Sequence, residues 1–368
     1  MGFSCGIVGL PNVGKSTLYN ALTRSNVAAS NYPFCTIDPN VGIVPVPDPR
    51  LDKLAQLVPT EKVVPTTMRF VDIAGLVKGA SQGEGLGNQF LSHIAEVEAV
   101  VHVVRCFQDS QVIHVSGEVD PRRDIEVIHT ELALRDLGIV TAAVSRLEKV
   151  AKSGDKKAAA ALEAYQPVFK ALNEGRPARS VIRGLSPEAQ ELVKGLNLLT
   201  SKPVLYVANV QEKEAAGSAS PMLKIVQEVA AAEGAKVVSI CASIEAQIAT
   251  LETEQERKEF LAAEGLEEPG LNRLIRVGYE LLNLITFFTV GPKEDRAWTI
   301  PRGAKAPEAA GKIHSDMQRG FIRAEVIGYE DFITCGGEIA ARDQGKLRLE
   351  GKDYVVQDGD IIHFRFSV

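Results

Sequence analysis

Gly9-Leu10-Pro11-Asn12-Val13-Gly14-Lys15-Ser16, followed by Thr17, has the spacing G-x-x-x-x-G-K-[ST]. That spacing suits a grip on phosphates. Gly9 and Gly14 can take backbone angles barred to residues with a Cβ, so the N–H groups from Asn12, Val13 and Gly14 through Thr17 can turn inward on an anion. Lys15 is expected to bridge the β- and γ-phosphates of a nucleoside triphosphate and to act in catalysis, and the Ser16 hydroxyl to coordinate Mg²⁺. An apolar run leads in, and Leu18-Tyr19-Asn20-Ala21-Leu22 opens a helix whose N-terminus adds partial positive charge. A bare glycine-rich strand-to-helix turn shares the glycines but has no need of Lys-Ser-Thr in this context.

Two further stretches are candidate switches. Asp72-Ile73-Ala74-Gly75 closes an apolar run; a strand-end Asp beside a phosphate loop can hold Mg²⁺ through water, and Gly75 can offer its N–H to a γ-phosphate. Thr36, in Asn31-Tyr32-Pro33-Phe34-Cys35-Thr36, is the candidate second Mg²⁺ ligand, with turn capping as the competing reading. Gly79, Gly83, Gly85 and Gly87 suggest a loop that orders around a γ-phosphate. Leu76 stands where Ras-type enzymes carry a water-orienting glutamine, and leucine cannot do that work.

Guanine readers place N-K-x-D after a later strand; here the expected position reads Asn209-Val210-Gln211-Glu212. Val210 lacks the lysine stem that packs along the base. Glu212 is one methylene longer than Asp, so its carboxylate is displaced from the two guanine donors, a loss that can lower discrimination by roughly 10⁴-fold. ATP is therefore the expected nucleotide. Cys241-Ala242-Ser243 is a weaker candidate for a backbone contact to the base edge.

The elements that must position these residues are an α/β set. Strands are predicted at 3–8, 41–46, 68–73, 100–106, 204–209 and 236–240, alternating with helices as in a parallel sheet. About a hundred residues separate the fourth and fifth of these runs, far more than one crossover requires. Helical spacing over Ile128, Leu132, Arg135, Ile139, Ala143, Leu147 and Val150, then Leu162, Tyr165, Phe169 and Leu172 after Ser153-Gly154-Asp155, predicts a helical hairpin. Arg146, Lys149, Lys152, Lys156 and Lys157 make its tip basic, in a chain of net charge −6. Beyond residue 280, short strands are expected at 287–290, 297–300, 323–327, 353–356 and 361–366, with one helix over 307–320 and a hairpin turn at Asp358-Gly359, the pattern of a β-grasp module. The expected organisation is a G domain over 1–125 and 201–280, an inserted helical domain over 126–200, and a C-terminal module over 281–368. No run reaches the roughly 18 apolar residues of a membrane span. Five scattered cysteines without a C-x-x-C pair fit reduced thiols in a cytoplasmic protein. Cys35 beside Thr36 reads as a small buried thiol before it reads as a redox switch.

Together, Gly-Leu-Pro-Asn-Val-Gly-Lys-Ser-Thr from Gly9, Asn-Tyr-Pro-Phe-Cys-Thr-Ile-Asp-Pro-Asn from Asn31, Asp-Ile-Ala-Gly-Leu-Val-Lys-Gly-Ala-Ser from Asp72 and Arg-Ala-Trp-Thr-Ile-Pro from Arg296 resemble the YchF / Obg-like ATPase family along the entire chain. The resemblance implies a Ras-like P-loop domain, an inserted coiled-coil domain, a C-terminal TGS domain and Mg²⁺-dependent ATP hydrolysis. It also implies association with ribosomes, in keeping with an rRNA contact by the basic hairpin. It further implies that a histidine, here His114, replaces the missing glutamine; as a residue alone, His114 reads as one surface imidazole among six. The competing readings are a GTPase of translation or ribosome assembly and, with no second substrate signature, a small-molecule kinase.

Overall fold

The computed structural model of the chain describes residues 3–24, 40–73, 86–114, 117–217 and 220–367, and for residues 86–90 the backbone alone. Along the chain run β1 (Ser4–Val8), α1 (Lys15–Arg24), β2 (Val41–Pro45), α2 (Pro49–Leu57), β3 (Val63–Val64), β4 (Thr67–Asp72), α3 (Leu86–Glu96) and β5 (Ala99–Cys106). There follow α4 (Pro121–Ala151), α5 (Lys156–Asn173), α6 (Arg179–Ile182), α7 (Pro187–Lys194), β6 (Val204–Val210), α8 (Glu212–Ala215), α9 (Pro221–Glu233), β7 (Lys236–Ile240), α10 (Ala242–Ile248), α11 (Glu254–Ala263) and α12 (Gly270–Leu281). The chain ends with β8 (Leu284–Thr289), β9 (Asp295–Pro301), α13 (Ala306–Ile313), α14 (Ser315–Arg319), β10 (Phe321–Gly328), α15 (Tyr329–Cys335), α16 (Glu338–Asp343), β11 (Arg348–Glu350) and β12 (Asp360–Phe366).

These elements form two compact units: Met1–Val44 with Arg69–Gly278, and Pro45–Met68 with Tyr279–Val368. In the first, the sheet order is β2-β4-β1-β5-β6-β7, and β4, β1, β5, β6 and β7 are joined by parallel pairings. Every residue of β1, β5 and β6 is buried, as central strands covered on both faces require. Ile7 pairs with Asp72, which brings the carboxyl end of β4 beside the loop that leaves β1.

Between β5 and β6, α4 and α5 meet through a turn at residues 152–155. Asp120 caps α4 by accepting from Arg122 and Arg123 N–H, and Asp155 caps α5 by accepting from Lys157 and Ala158 N–H. Their shared core holds Val140, Val144, Ala161, Tyr165 and Val168, so the hairpin buries one apolar seam of each helix. Arg146, Lys149, Lys152, Lys156 and Lys157 all lie exposed near its tip.

Where the helical segment returns to the sheet, His102 on β5, His129 on α4 and Tyr206 on β6 cluster. The Tyr206 hydroxyl lies 2.8 Å from His129 Nε2 and 3.2 Å from Glu233 Oε2, and Arg179 pairs with the same carboxylate. Burial pulls His129 down to about 4, against the opposing pull of Glu233, and takes His102 well below the ordinary imidazole range. Both imidazoles are therefore neutral in the fold, while the unfolded chain takes up protons below about pH 6.5. Stability should be full above that pH and fall as pH drops from 6.5 toward 4, by about 3 kcal/mol for His129. Urea midpoints measured across this range check it. His129→Gln should flatten the slope, and an equally steep slope in that variant would remove His129 as its cause.

The second unit has the sheet order β11-β10-β12-β8-β9-β3. β8 and β9 are antiparallel, β12 lies parallel to β8, and β10 is antiparallel to both β12 and β11. That is a β-grasp arrangement with β3 added at its edge by parallel pairing to β9. Residues 45–68 thus group with the C-terminal residues, a departure from a G-domain part running unbroken over 1–125; a two-residue strand carries no periodic pattern to announce it. Residues 353–356 form no strand beyond a bridge from Val355 to Lys305, and the short partner strand is β11. Asp358-Gly359 accordingly makes no hairpin between two strands. Gly359 turns the chain at φ 89°, while Asp358 Oδ1 accepts from Thr286 N–H at 2.9 Å and its carboxylate pairs with Arg50. The single helix expected over 307–320 is broken at His314, whose extended backbone (φ −157°, ψ 144°) separates α13 from α14.

Candidate nucleotide-binding site

The chain leaves β1 at Val8, turns through residues 9–14 and enters α1 at Lys15, where Leu18 N–H donates to Gly14 O at 3.0 Å. The two loop glycines are needed for different reasons. Gly14 has φ 91°, and a Cβ there would fall on Asn209 Nδ2. Gly9 has no positive φ; what bars a side chain is the approach of Val103 O, 2.8 Å from where its Cβ would stand. The left-handed residue near the loop's start is instead Asn12, at φ 62°, a conformation that Asn tolerates better than most.

The loop opens on a cleft of about 1030 Å³. Asn12, Gly14, Lys15, Ser16 and Thr17 line it together with Asn209, Val210, Glu212 and Ser243. Val13 is buried beneath it. The Lys15 ammonium pairs with the Asp72 carboxylate, so the residues read as phosphate-binding and metal-binding are brought together. A hydroxyl at Ser16, exposed in the cleft, and a carboxylate at Asp72 form a hard-oxygen set that fits Mg²⁺. Thr36, Cys35, Gly75, Leu76, Gly79, Gly83 and Gly85 lie outside the described residues, while Gly87 falls in the first turn of α3.

Asn209 serves as a brace. Its Nδ2 donates to Val13 O at 2.9 Å and its Oδ1 accepts from Ala242 N–H at 3.0 Å, tying the phosphate loop to the β7–α10 turn. Glu212 Oε1 accepts from the Ser243 hydroxyl at 2.9 Å, which fixes where this carboxylate stands in the cleft. The role of Ser243 was not legible in the sequence beyond its place after an apolar run.

Arg105 was missed altogether. It is 1% exposed, stacks on Phe107 with 4.4 Å to the ring centroid, and donates to the carbonyls of Phe107, Asp109 and Val112. A charged residue at the end of Val-Val-His-Val-Val-Arg was the available signal; pinning the loop after β5 is its structural use. That loop carries His114, and here the surface reading fails. His114 is buried, does not line the cleft, and sets Nε2 2.9 Å from Asp124 Oδ2 in the first turn of α4. Burial raises Asp124 above the usual carboxylate range, with His114 pulling it back.

A strand–phosphate loop–helix beside a strand-end Asp, on a six-stranded sheet of this order, defines a P-loop nucleoside triphosphatase. The comparisons agree: residues 4–141 match a family described as 50S ribosome-binding GTPase, and residues 284–367 match YchF-GTPase_C, described as a protein of unknown function. Proteins called ribosome-binding ATPase YchF from Haemophilus influenzae and Bacillus subtilis are 58% and 56% identical, each covering 100% of both chains. A solved structure of the Schizosaccharomyces pombe YchF GTPase superposes with TM-score 0.89 at 37% identity, over 99% of this chain and 98% of that one. The chain belongs to the YchF family.

Proposed function

We propose that this chain is a ribosome-binding regulatory ATPase that hydrolyses ATP in preference to GTP. The observation that carries the nucleotide choice is the carboxylate of Glu212, set by Ser243 in the same cleft that the phosphate loop lines. A glutamate in that place suits adenine, which offers one exocyclic amino donor, better than guanine with its pair of donors. Calorimetry with non-hydrolysable ATP and GTP analogues tests the reading: tighter ATP binding is expected, and much tighter GTP binding overturns it.

In this mechanism the inward N–H groups of residues 12–17 and the helix N-terminus hold the triphosphate, and Lys15 exchanges Asp72 for phosphate oxygens. Mg²⁺, held by Ser16, Asp72 and Thr36, would supply charge neutralisation on the β- and γ-phosphates. His114 is the proposed group for the attacking water, because leucine at position 76 cannot orient it.

The exposed tip of the α4–α5 hairpin is proposed to meet rRNA phosphates through Arg146, Lys149, Lys152, Lys156 and Lys157, with the β-grasp unit acting as a TGS domain. No helix among the described residues is long and apolar enough to cross a membrane, and a cytoplasmic location is proposed on the strength of the ribosomal partner. Cosedimentation with ribosomes should weaken steeply with salt. Replacing Lys152, Lys156 and Lys157 by Glu should weaken it about tenfold or more at fixed salt. Retention that ignores both changes would count against an electrostatic contact.

A further inference from the structure

His114 sits between two parts of the machine. On one side, Asn12 of the phosphate loop donates from Nδ2 to Ile113 O at 3.0 Å, so the residue before His114 touches the triphosphate cradle. On the other, the His114 ring meets Asp124 inside the protein, with side chains 1% and 3% exposed. Asp124 Oδ1 is buried and has no hydrogen-bond partner among the described residues, so the ring supplies the contact that holds this carboxylate. Arg123, next to Asp124, donates to Glu118 O, and Arg105 pins the loop as far as Val112. The stretch from Ile113 to Asp124 is thus anchored at both ends, by the nucleotide loop and by the start of α4.

α4 then continues unbroken for 31 residues, roughly 45 Å of helix, to the basic tip. That continuous helix is the direct path from the tip to the first turn, where Asp124 lies.

We propose that Asp124 is a positioning residue for hydrolysis: its carboxylate holds the His114 imidazole out of the cleft, and movement of the first turn of α4 frees the ring to reach the water at the γ-phosphate. This rests on the reading of His114 as the water-orienting group. Only the fraction of molecules with the ring free turns over, so basal rate tracks that fraction. The hydrogen bond is charge-assisted, and weakening it should raise that fraction by about tenfold.

The test uses the full chain, with steady-state ATP turnover measured for the parent, Asp124→Asn, His114→Ala and the double variant, each checked for folding by circular dichroism. Asp124→Asn keeps the volume of the site and so avoids the cavity that Asp124→Ala would leave. Its kcat should rise about tenfold at unchanged KM, and the rise should vanish in the His114→Ala background. Purified bacterial 70S ribosomes should accelerate the parent more than Asp124→Asn, by the same factor; equal acceleration of both would remove the α4 relay. An unchanged or lowered kcat in Asp124→Asn, or a change carried by KM, overturns the proposal while His114→Ala remains impaired. Full turnover in His114→Ala instead sinks the catalytic reading of the histidine itself, and the latch with it.

Discussion

Lys15→Ala should lower ATP turnover on the order of 10³-fold, the scale seen when a pre-organised cationic or hydrogen-bonding group is removed from a phosphoryl-transfer or oxyanion site. The reason lies in how the ammonium is held. Lys15 is nearly buried and paired with Asp72 beside the phosphate loop, so its charge is already held at the loop proposed to grip the β- and γ-phosphates. Removing it takes away transition-state charge stabilisation and leaves the Asp72 carboxylate facing the phosphates without a neutralising partner. Triphosphate affinity should fall as well, by about 10–100-fold, because a charge-assisted contact of about 1.5–3 kcal/mol is lost. Single-turnover hydrolysis and calorimetry separate the two effects. Turnover within a few-fold of the parent would contradict the assignment of residues 9–16 as the phosphate grip.

Asp136→Ala should cost about 3–5 kcal/mol of stability without touching the cleft. Asp136 on α4 is fully buried. Its Oδ1 accepts from Leu199 N–H at 2.9 Å, and its Oδ2 accepts from Thr200 N–H at 2.7 Å and from the Thr200 hydroxyl at 2.6 Å. Thr200 Oγ1 in turn accepts from Ala178 N–H at 3.1 Å. One carboxylate therefore closes the helical segment on itself just before the chain re-enters the sheet at β6. Alanine leaves two buried N–H groups and a hydroxyl without their acceptor, the costly kind of loss. Asp136→Asn keeps the shape but turns an amide donor toward one of those donors, so it should recover only part of the stability. Urea denaturation followed by circular dichroism measures both, and a loss under about 1 kcal/mol for the alanine variant would show that water replaces the carboxylate.

Residues 9–17 were legible because their chemistry is local. These nine consecutive positions carry the turn, the charge and the hydroxyls, and a strand and a helix flank them directly. β1, β5 and β6 were legible for a related reason: strands buried on both faces are continuous apolar runs, and their predicted limits fall within a residue of the observed ones. Glu212 became a candidate by its distance along the chain from β6. By contrast, Asn209 as a brace depends on Val13, 196 residues away, and the hold of Ser243 on Glu212 spans 31 residues. Neither leaves a periodic trace. The expected strand at 353–356 failed for the converse reason, an alternating pattern with no neighbouring strand to pair beyond one bridge.

The sequence by itself determined that a phosphate-loop motif stands between a strand and a helix, and that a glutamate follows β6 where guanine readers carry aspartate. Those are properties of short segments whose sterics and charge act on their nearest neighbours. Only the tertiary structure decided that His114 is sealed against Asp124, that Arg105 pins the loop leading from β5 toward His114, and that residues 45–68 join the β-grasp unit. Each depends on which distant groups share a buried space, where an unpaired polar atom is expensive and the partner is chosen by the fold.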